Sequence, residues 1–581
     1  METLAIAAPE TLRLGDRLPP DDTFAIGVHL PTWADTFGWA TRELRVLTAM
    51  RSGYPRFYIS RPVKRLVNRI LDKLEQDSTE GAELYKKKRR HGLPVATRRQ
   101  ANLFAEFLSR QDQAQHDNAV IQILHLDWQG NVVFIDPNSE RELDSEPGHD
   151  QEPPLAGTED IYVLTYPEEM VPAAKAFWQH TGYGISSRRA NFWYGLAPFV
   201  SNNPSGYFNP RLLNPDANTA GSWDSIRRRL LASHADPSPS GFHDSDIFLY
   251  PTGMTAITEV AAAIMAFHPA PTLSRPVFAV FGFLYVDTFK VLERVLGVET
   301  LLYKYGESEI DRLENELENG LHIGALFTEF PGNPLLRCPN IPRLRQLSIK
   351  YRFVLVIDDT VGTCASLKLL PHCDVVCTSL TKMFSGQCNV MGGSVALAPG
   401  TSFHDSLQTN LLKTYEPRSW FISDVAVMDR NSLDFSARVR RASHNALPIV
   451  ERLQAHHTVA EVYYPKDGGE TQKMYEHFQV DPGVGYGFLL SVRFISPACA
   501  INFYNAFDVA KGPSLGTNFT LCCAYTLLAH YKELSWAAEN GVVEHLIRIS
   551  VGLEGPTWLL PRVSKALNAA GKAATNPDSV A

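Results

Sequence analysis

From about residue 240 to 400, short and nearly continuous apolar runs alternate with longer stretches of helical spacing. The runs are Asp246–Leu249, Val277–Phe281, Ile323–Thr328, Phe353–Ile357 and Asp374–Cys377. A strand covered on both faces has no polar side, so it reads as an unbroken apolar run rather than as alternation. A helix from Met254 and another over Val286–Val295 supply crossovers between runs. This rhythm predicts an α/β fold with a mostly parallel, doubly wound central sheet. Such sheets place ligands at the carboxyl ends of their strands.

The flanks differ in texture. Residues 1–165 mix helical patches (Val63–Leu74, Arg98–Leu108) with β-rich runs at Val120–Leu126 and Asn131–Ile135, and Asp144–Pro154 reads as an acidic surface loop. After 405, the helical stretch Ser432–Gln454 precedes strand-like Val462–Tyr464, Phe488–Phe494 and Ile547–Val551. The pattern predicts an N-terminal extension domain over 1–165, a large domain over 241–405 and a smaller C-terminal α/β lobe over 406–581.

Composition narrows the class. The chain has 581 residues, 44% hydrophobic and 20% charged, with a formal net charge of -8. That balance weighs against nucleic acid as a partner, and the basic run Lys86-Lys-Lys-Arg-Arg90 reads as a solvated face. The eight cysteines all follow residue 337 and show no C-x-x-C pair. They read as reduced thiols, with no metal site expected. The start of the chain lacks the marks of a secretory signal or transit peptide. The apolar stretches Ala256–Phe267 and Val277–Val286 are interrupted by Glu259 or too short to span a bilayer. A cytoplasmic enzyme with no membrane partner is expected.

Chemistry concentrates after the last apolar run, in Asp374-Val-Val-Cys-Thr-Ser379-Leu-Thr381-Lys382 and the glycines Gly392 and Gly393 beyond. An aldehyde cofactor needs a lysine amine held at a strand end and partly removed from water. The Ser379 and Thr381 hydroxyls can hydrogen-bond a phosphate. Tyr250-Pro-Thr252-Gly253-Met254 opens a helix after a strand, where backbone N–H groups and the positive helix end can cradle a phosphate. Asp358 ends the run Phe353–Ile357, and a buried acid there needs a cation or donor. Asp359 is its direct rival. The glycines of Gly483-Val-Gly-Tyr-Gly487 lack a βαβ context and read as a strand-edge turn.

The lysine segment resembles the cofactor-lysine region of the Cys/Met-metabolism family of pyridoxal-phosphate (PLP) enzymes: Asp, apolar residues, Ser-x-Thr-Lys, then a Gly-rich chain. Thr378-Ser-Leu-Thr-Lys-Met-Phe-Ser-Gly is similar to the fungal cystathionine γ-synthase branch, as is His29-Leu-Pro-Thr-Trp-Ala-Asp-Thr-Phe-Gly-Trp39. The resemblance implies the fold of PLP-dependent aminotransferases (fold type I), with PLP joined to Lys382 as an imine. It implies that Tyr285 stacks on the pyridine ring and that Asp358, held in register by Thr360, pairs with the ring nitrogen. Thr252, Gly253, Met254, Ser379 and Thr381 then hold the cofactor. Asn333 lies near both cofactor and substrate. Arg548, in Ile547-Arg-Ile-Ser-Val-Gly552, binds the substrate carboxylate through its planar fork, and Ser514 orients the lysine. The family's Tyr-x-Arg, which reaches a neighbouring subunit's phosphate, falls on Ser186-Ser187-Arg188, so Arg188 is kept and the tyrosine lost. An arm over 166–240 and a homodimer or homotetramer with shared active sites follow from that placement.

The implied reaction is γ-replacement on an O-acyl-L-homoserine, expected to be O-acetyl, through a vinylglycine-type intermediate. The small-molecule acceptor is expected to be cysteine, giving cystathionine. A specialised-metabolism paralogue using a carbon or nitrogen nucleophile, and a γ- or β-lyase, stand as alternatives.

Overall fold

The computed structural model describes residues 11–55, 57–76, 90–112, 121–126, 132–135, 160–196, 219–234, 241–268 and 276–575. The acidic stretch 144–154 and Lys86–Arg89 of the basic run lie outside these residues.

The predicted central sheet has seven strands, in the spatial order Ile247–Tyr250, Gly393–Leu397, Val375–Thr378, Val354–Asp358, Ala325–Glu329, Val277–Phe281, Glu299–Tyr303. Gly393–Leu397 runs antiparallel to both of its neighbours, and the other pairs are parallel. Ala325–Glu329 and Val354–Asp358 are in register along their whole length, so that Glu329 faces Asp358 at their carboxyl ends. The next strand brings Cys377 beside Asp358, and the chain then turns into the Ser379–Lys382 segment. Three consecutive strand ends therefore carry the chemistry of the site.

Helix Gly253–Phe267 packs on one face of the sheet, its apolar side contributing Ile257, Val260, Ala261 and Ile264 to a core shared with Phe278, Phe327 and Val356. The other face is covered by helices Glu307–Glu318 and Ile341–Tyr351 through Leu313, Leu317, Leu344 and Leu347. Burial on both sides explains why the strand sequences lack alternation.

The C-terminal lobe is a five-stranded sheet in the order Val459–Tyr463, Leu489–Phe494, Ile547–Ser550, Leu521–Ala524, Ala510–Lys511. Helices Phe435–Gln454, Pro497–Ala506 and Pro556–Thr575 cover it. Toward the amino terminus, Arg90–Val95, Ile161–Pro167, Gln122–Leu126 and Val132–Ile135 form an antiparallel sheet. The boundary expected at 165 falls inside its Ile161–Pro167 strand. This sheet shares a core with the large domain, and Phe104 stacks on Phe177 at 4.5 Å. Residues 11–55 and 57–58 lie elsewhere, on the C-terminal lobe. Val28, Leu30, Trp39, Val46 and Met50 pack with Tyr525, Leu528 and Leu546, and the Tyr504 hydroxyl donates to the Leu30 carbonyl (3.0 Å). The N-terminal extension is thus two pieces with different partners.

Directly behind the central strand end, Asp359 is fully buried and accepts a hydrogen bond from the Thr378 hydroxyl. Ligand atoms of His234, Asp359 and Cys364 lie within 4.8 Å of one another there. Burial pushes the Asp359 carboxyl up to about 7, with neighbouring Asp358 adding to the rise and Thr378 opposing it. An acid raised on folding contributes stability that is complete below its unfolded value, near 4, and is lost as pH climbs toward 7. Between about pH 5 and pH 7 the protein should therefore lose about 2–3 kcal/mol more than an Asp359→Asn variant. Urea midpoints at the two pH values measure this, and equal slopes for the two proteins would contradict it.

Candidate active site

Lys382 closes a tight turn after Val375–Thr378, its backbone N–H donating to the Ser379 carbonyl (3.2 Å). The side chain is buried. Its Nζ donates to the Ser514 hydroxyl (3.1 Å) and lies 4.1 Å from the centre of the Tyr54 ring. Gly516 makes this approach possible: its φ is +66°, and a Cβ there would sit 2.6 Å from the Met383 nitrogen. The Thr381 hydroxyl accepts from the Gly392 N–H (3.1 Å) and donates to the Gly392 carbonyl (3.3 Å), fastening the lysine turn to the start of the antiparallel strand.

Asp358 ends its strand with one carboxylate oxygen accepting from the Thr360 N–H (2.8 Å). Burial raises its pKa, while the Thr360 donors and the nearby Lys382 amine oppose the rise. Glu329 stands beside it on the adjacent strand. One of its oxygens accepts from the Tyr285 N–H (2.5 Å) and the other from the Asn333 N–H (2.8 Å). Burial, with a further contribution from Asp358, holds the Glu329 carboxyl well above the ordinary range of a glutamate. Each of these acids leans on backbone donors because desolvated charge has few other supports.

Arg548 comes from the middle strand of the C-terminal sheet and is buried. Its Nη1 donates to Asn333 Oδ1 (2.9 Å), and its Nη2 donates to the carbonyls of Ser514 (2.8 Å) and Pro513 (3.2 Å). The Tyr525 ring centre lies 5.0 Å from the guanidinium carbon. A planar fork held at fixed angles suits a carboxylate.

Across the lysine turn, Thr252 caps helix Gly253–Phe267: its hydroxyl accepts from the Thr255 N–H (3.0 Å). First-turn N–H groups of a helix have no acceptor within it, and the dipole favours an anion there. A Cβ on Gly253 would come 2.7 Å from the Ser379 Cβ, so glycine lets the helix end lie directly against the lysine segment.

One cavity is lined by Lys382, Asp358, Tyr285, Asn333 and Arg548 together with Thr252, Gly253, Met254, Ser379 and Thr381. Ser514 adjoins it through Lys382. Between the two neighbouring acids, the cavity selects Asp358, since Asp359 turns to Thr378 behind the sheet. PLP fits this donor set on chemical grounds. The site offers an amine for the aldehyde, an acid for the ring nitrogen, an aromatic wall for the ring, and a helix end for the phosphate.

Arg188 is not brought to this cavity. Its Nη1 donates to the Asn389 carbonyl (2.7 Å) and to Asp424 Oδ1 (3.0 Å), and its guanidinium lies 4.6 Å from the Phe24 ring centre. It lines a neighbouring cavity that shares Thr252 and Met391 with the first. The acid at 424 pairs with the arginine within its own chain. Tyr54-Pro55-Arg56 keeps the Tyr-x-Arg spacing intact, and Tyr54 lines the Lys382 cavity. Arg56 is outside the described residues. The spacing was visible in the sequence, but it stands far upstream of the large domain.

Sequence reasoning also missed Glu329, Phe57 and Tyr525, all of which line the cavity. Glu329 was legible as an acid ending an apolar run, the same signal that Asp358 gives. Phe57 and Tyr525 have no chemical signature and enter only through packing.

The structure resembles the cystathionine gamma synthase of Xanthomonas oryzae solved in complex with cystathionine, with a TM-score of 0.52 at 21% identity, covering 64% of this chain and 90% of that one. That likeness supports the fold. In sequence, the chain is 35% identical to the cystathionine gamma-synthase of Neurospora crassa, over 97% of this chain and 99% of that protein. It is 33% identical to the cystathionine gamma-synthase-like enzyme iboG1 of Amanita muscaria, over 98% and 99%. The family described as fungal trans-sulfuration enzyme, N-terminal domain, matches residues 62–186. Residues 243–568, which carry the lysine, the strand-end acid and the arginine, match the Cys/Met metabolism PLP-dependent enzyme. The chain belongs to that family, and PLP is its cofactor.

Proposed function

We propose that the chain catalyses γ-replacement on an O-acyl-L-homoserine, the acyl group being acetyl and the acceptor cysteine. The observation that carries this reading is the convergence of Lys382, Asp358, Tyr285 and Arg548 on one cavity in a chain 35% identical to a cystathionine gamma-synthase. Bound PLP supplies an electron sink for charge developed at the substrate α-carbon.

This chain's residues supply the rest. Arg548 and Asn333 dock the α-carboxylate and so fix which α-substituent faces Lys382. Asp358 keeps a proton on the ring nitrogen, which sustains the sink. The Lys382 amine, steered by Ser514, takes the α-proton, passes it on, and then takes a proton from Cβ, whose electron pair lets the acyloxy group leave Cγ as a carboxylate. The acceptor adds at Cγ, and the same amine returns the protons. Tyr285 and Tyr54 wall the space in which this happens. A homodimer or homotetramer is the unit we take from the family likeness.

One observation favours a second reading for the acceptor. Among the described residues lining the cavity, the cations are Lys382 and Arg548, and the lining also includes Tyr54, Phe57, Leu528 and Ala529. Such a wall suits a nucleophile less polar than cysteine, whose own carboxylate would need a second cation.

Incubation with O-acetyl-L-homoserine and a panel of thiol, carbon and nitrogen acceptors, read by mass, should yield γ-substituted amino acids, with cysteine giving cystathionine. Lys382→Ala should lose at least about a thousandfold in turnover. Unsaturated or keto-acid products alone would instead make the protein a lyase. Arg548→Lys should raise KM for the donor by about 10- to 100-fold, because an ammonium cannot replace a two-pronged contact. An unchanged KM would remove Arg548 from substrate binding.

A further inference from the structure

Two walls of the cavity are tied to a single side chain that belongs to neither. Glu329 ends its strand with one oxygen on the Tyr285 amide and the other on the Asn333 amide. Asn333 in turn holds Arg548 through its side-chain oxygen (2.9 Å). We propose that Glu329 is a positioning residue for the amino-acid substrate, bridging two backbone amides so that the aromatic wall and the carboxylate dock keep a fixed separation. This rests on the reading of the cavity as the PLP and amino-acid site.

A carboxyl group suits that place, since each of its two oxygens can accept. Both contacts are to N–H donors, so the side chain must accept twice, and glutamine offers one acceptor and one donor. Aspartate is one methylene shorter and cannot reach both amides from the same backbone position. The arrangement is also costly, since Glu329 is buried beside Asp358, its register partner on the next strand. Burial above all, and then the neighbouring carboxylate, disfavours the charge on Glu329 and raises its carboxyl. An apolar side chain there would avoid that cost and leave two buried amides without acceptors.

The effect must travel through Asn333 to reach the substrate, and that makes it separable from a general loss of packing. Asn333→Ala keeps the backbone N–H that Glu329 holds but removes the oxygen that Arg548 uses. The test compares PLP-loaded parent, Glu329→Gln, Asn333→Ala and the double variant, by KM and kcat for the donor and by visible circular dichroism of the bound cofactor. Glu329→Gln should take up PLP, change the dichroism amplitude, and raise KM by about tenfold, the size of one buried hydrogen bond lost. In the Asn333→Ala background the same substitution should change KM by less than about twofold, because the two act in series. Unchanged KM and dichroism in Glu329→Gln overturn the proposal, as do KM effects that multiply in full in the double variant. If Glu329→Gln is insoluble, Glu329→Asp carries the same expectations and the same grounds for rejection. A parent protein that takes up no PLP defeats the reading of the cavity and this proposal with it. A parent that loads normally beside an unaltered Glu329→Gln defeats this proposal alone.

Discussion

Ionisable groups buried at the ends of parallel strands set the terms for this molecule. Glu329, Asp358 and Lys382 lie on or just beyond three adjacent strands, held level by the register that aligns Glu329 with Asp358 and Asp358 with Cys377. Glu329 and Lys382 are buried and Asp358 is half-buried, and each is supported by specific donors or acceptors: the amides of Tyr285 and Asn333, the amide of Thr360, and the hydroxyl of Ser514. Shifting one strand by a residue would turn those side chains into the apolar layers on either face of the sheet. The register is therefore a chemical requirement as much as a packing one.

The second lobe completes what the sheet begins. Ser514 and Arg548 both belong to the C-terminal sheet region, yet they reach Lys382 and Asn333 of the large domain. Residues 11–55 pack on that same lobe and deliver Tyr54 to the lysine. The cavity is thus walled by segments from nearly the whole length of the chain. A change in how the lobes meet would alter the lysine's hydrogen bond and the arginine's anchor together, without touching the strand-end acids.

The sheet was legible because its strands are buried on both faces. Val277–Phe281 was read to the residue, and Phe353–Ile357 and Asp374–Cys377 within one position. Two strands escaped. Glu299–Tyr303 lies at the sheet edge, where partial exposure admits Glu299 and Thr300. Gly393–Leu397 opens on a glycine and follows no crossover helix, being the antiparallel member. Lys382, Asp358 and Arg548 were legible because each sits in a short motif with a local rationale. Tyr54 was not assigned, since its place arises from contact between segments distant in sequence, and Glu329 was passed over although it ends an apolar run as Asp358 does. For Arg188, a local match said nothing of Asp424, with which it pairs in its own chain.

The central claim is that the Lys382 amine is the group that joins the PLP aldehyde. Borohydride reduction of the PLP-loaded protein fixes that bond, and mass analysis of the digest then locates the pyridoxyl group. The account predicts a single modified peptide, containing Ser379 to Lys382, with the label on Lys382. A label on any other lysine, or a protein that binds PLP and yields no labelled peptide, would contradict it.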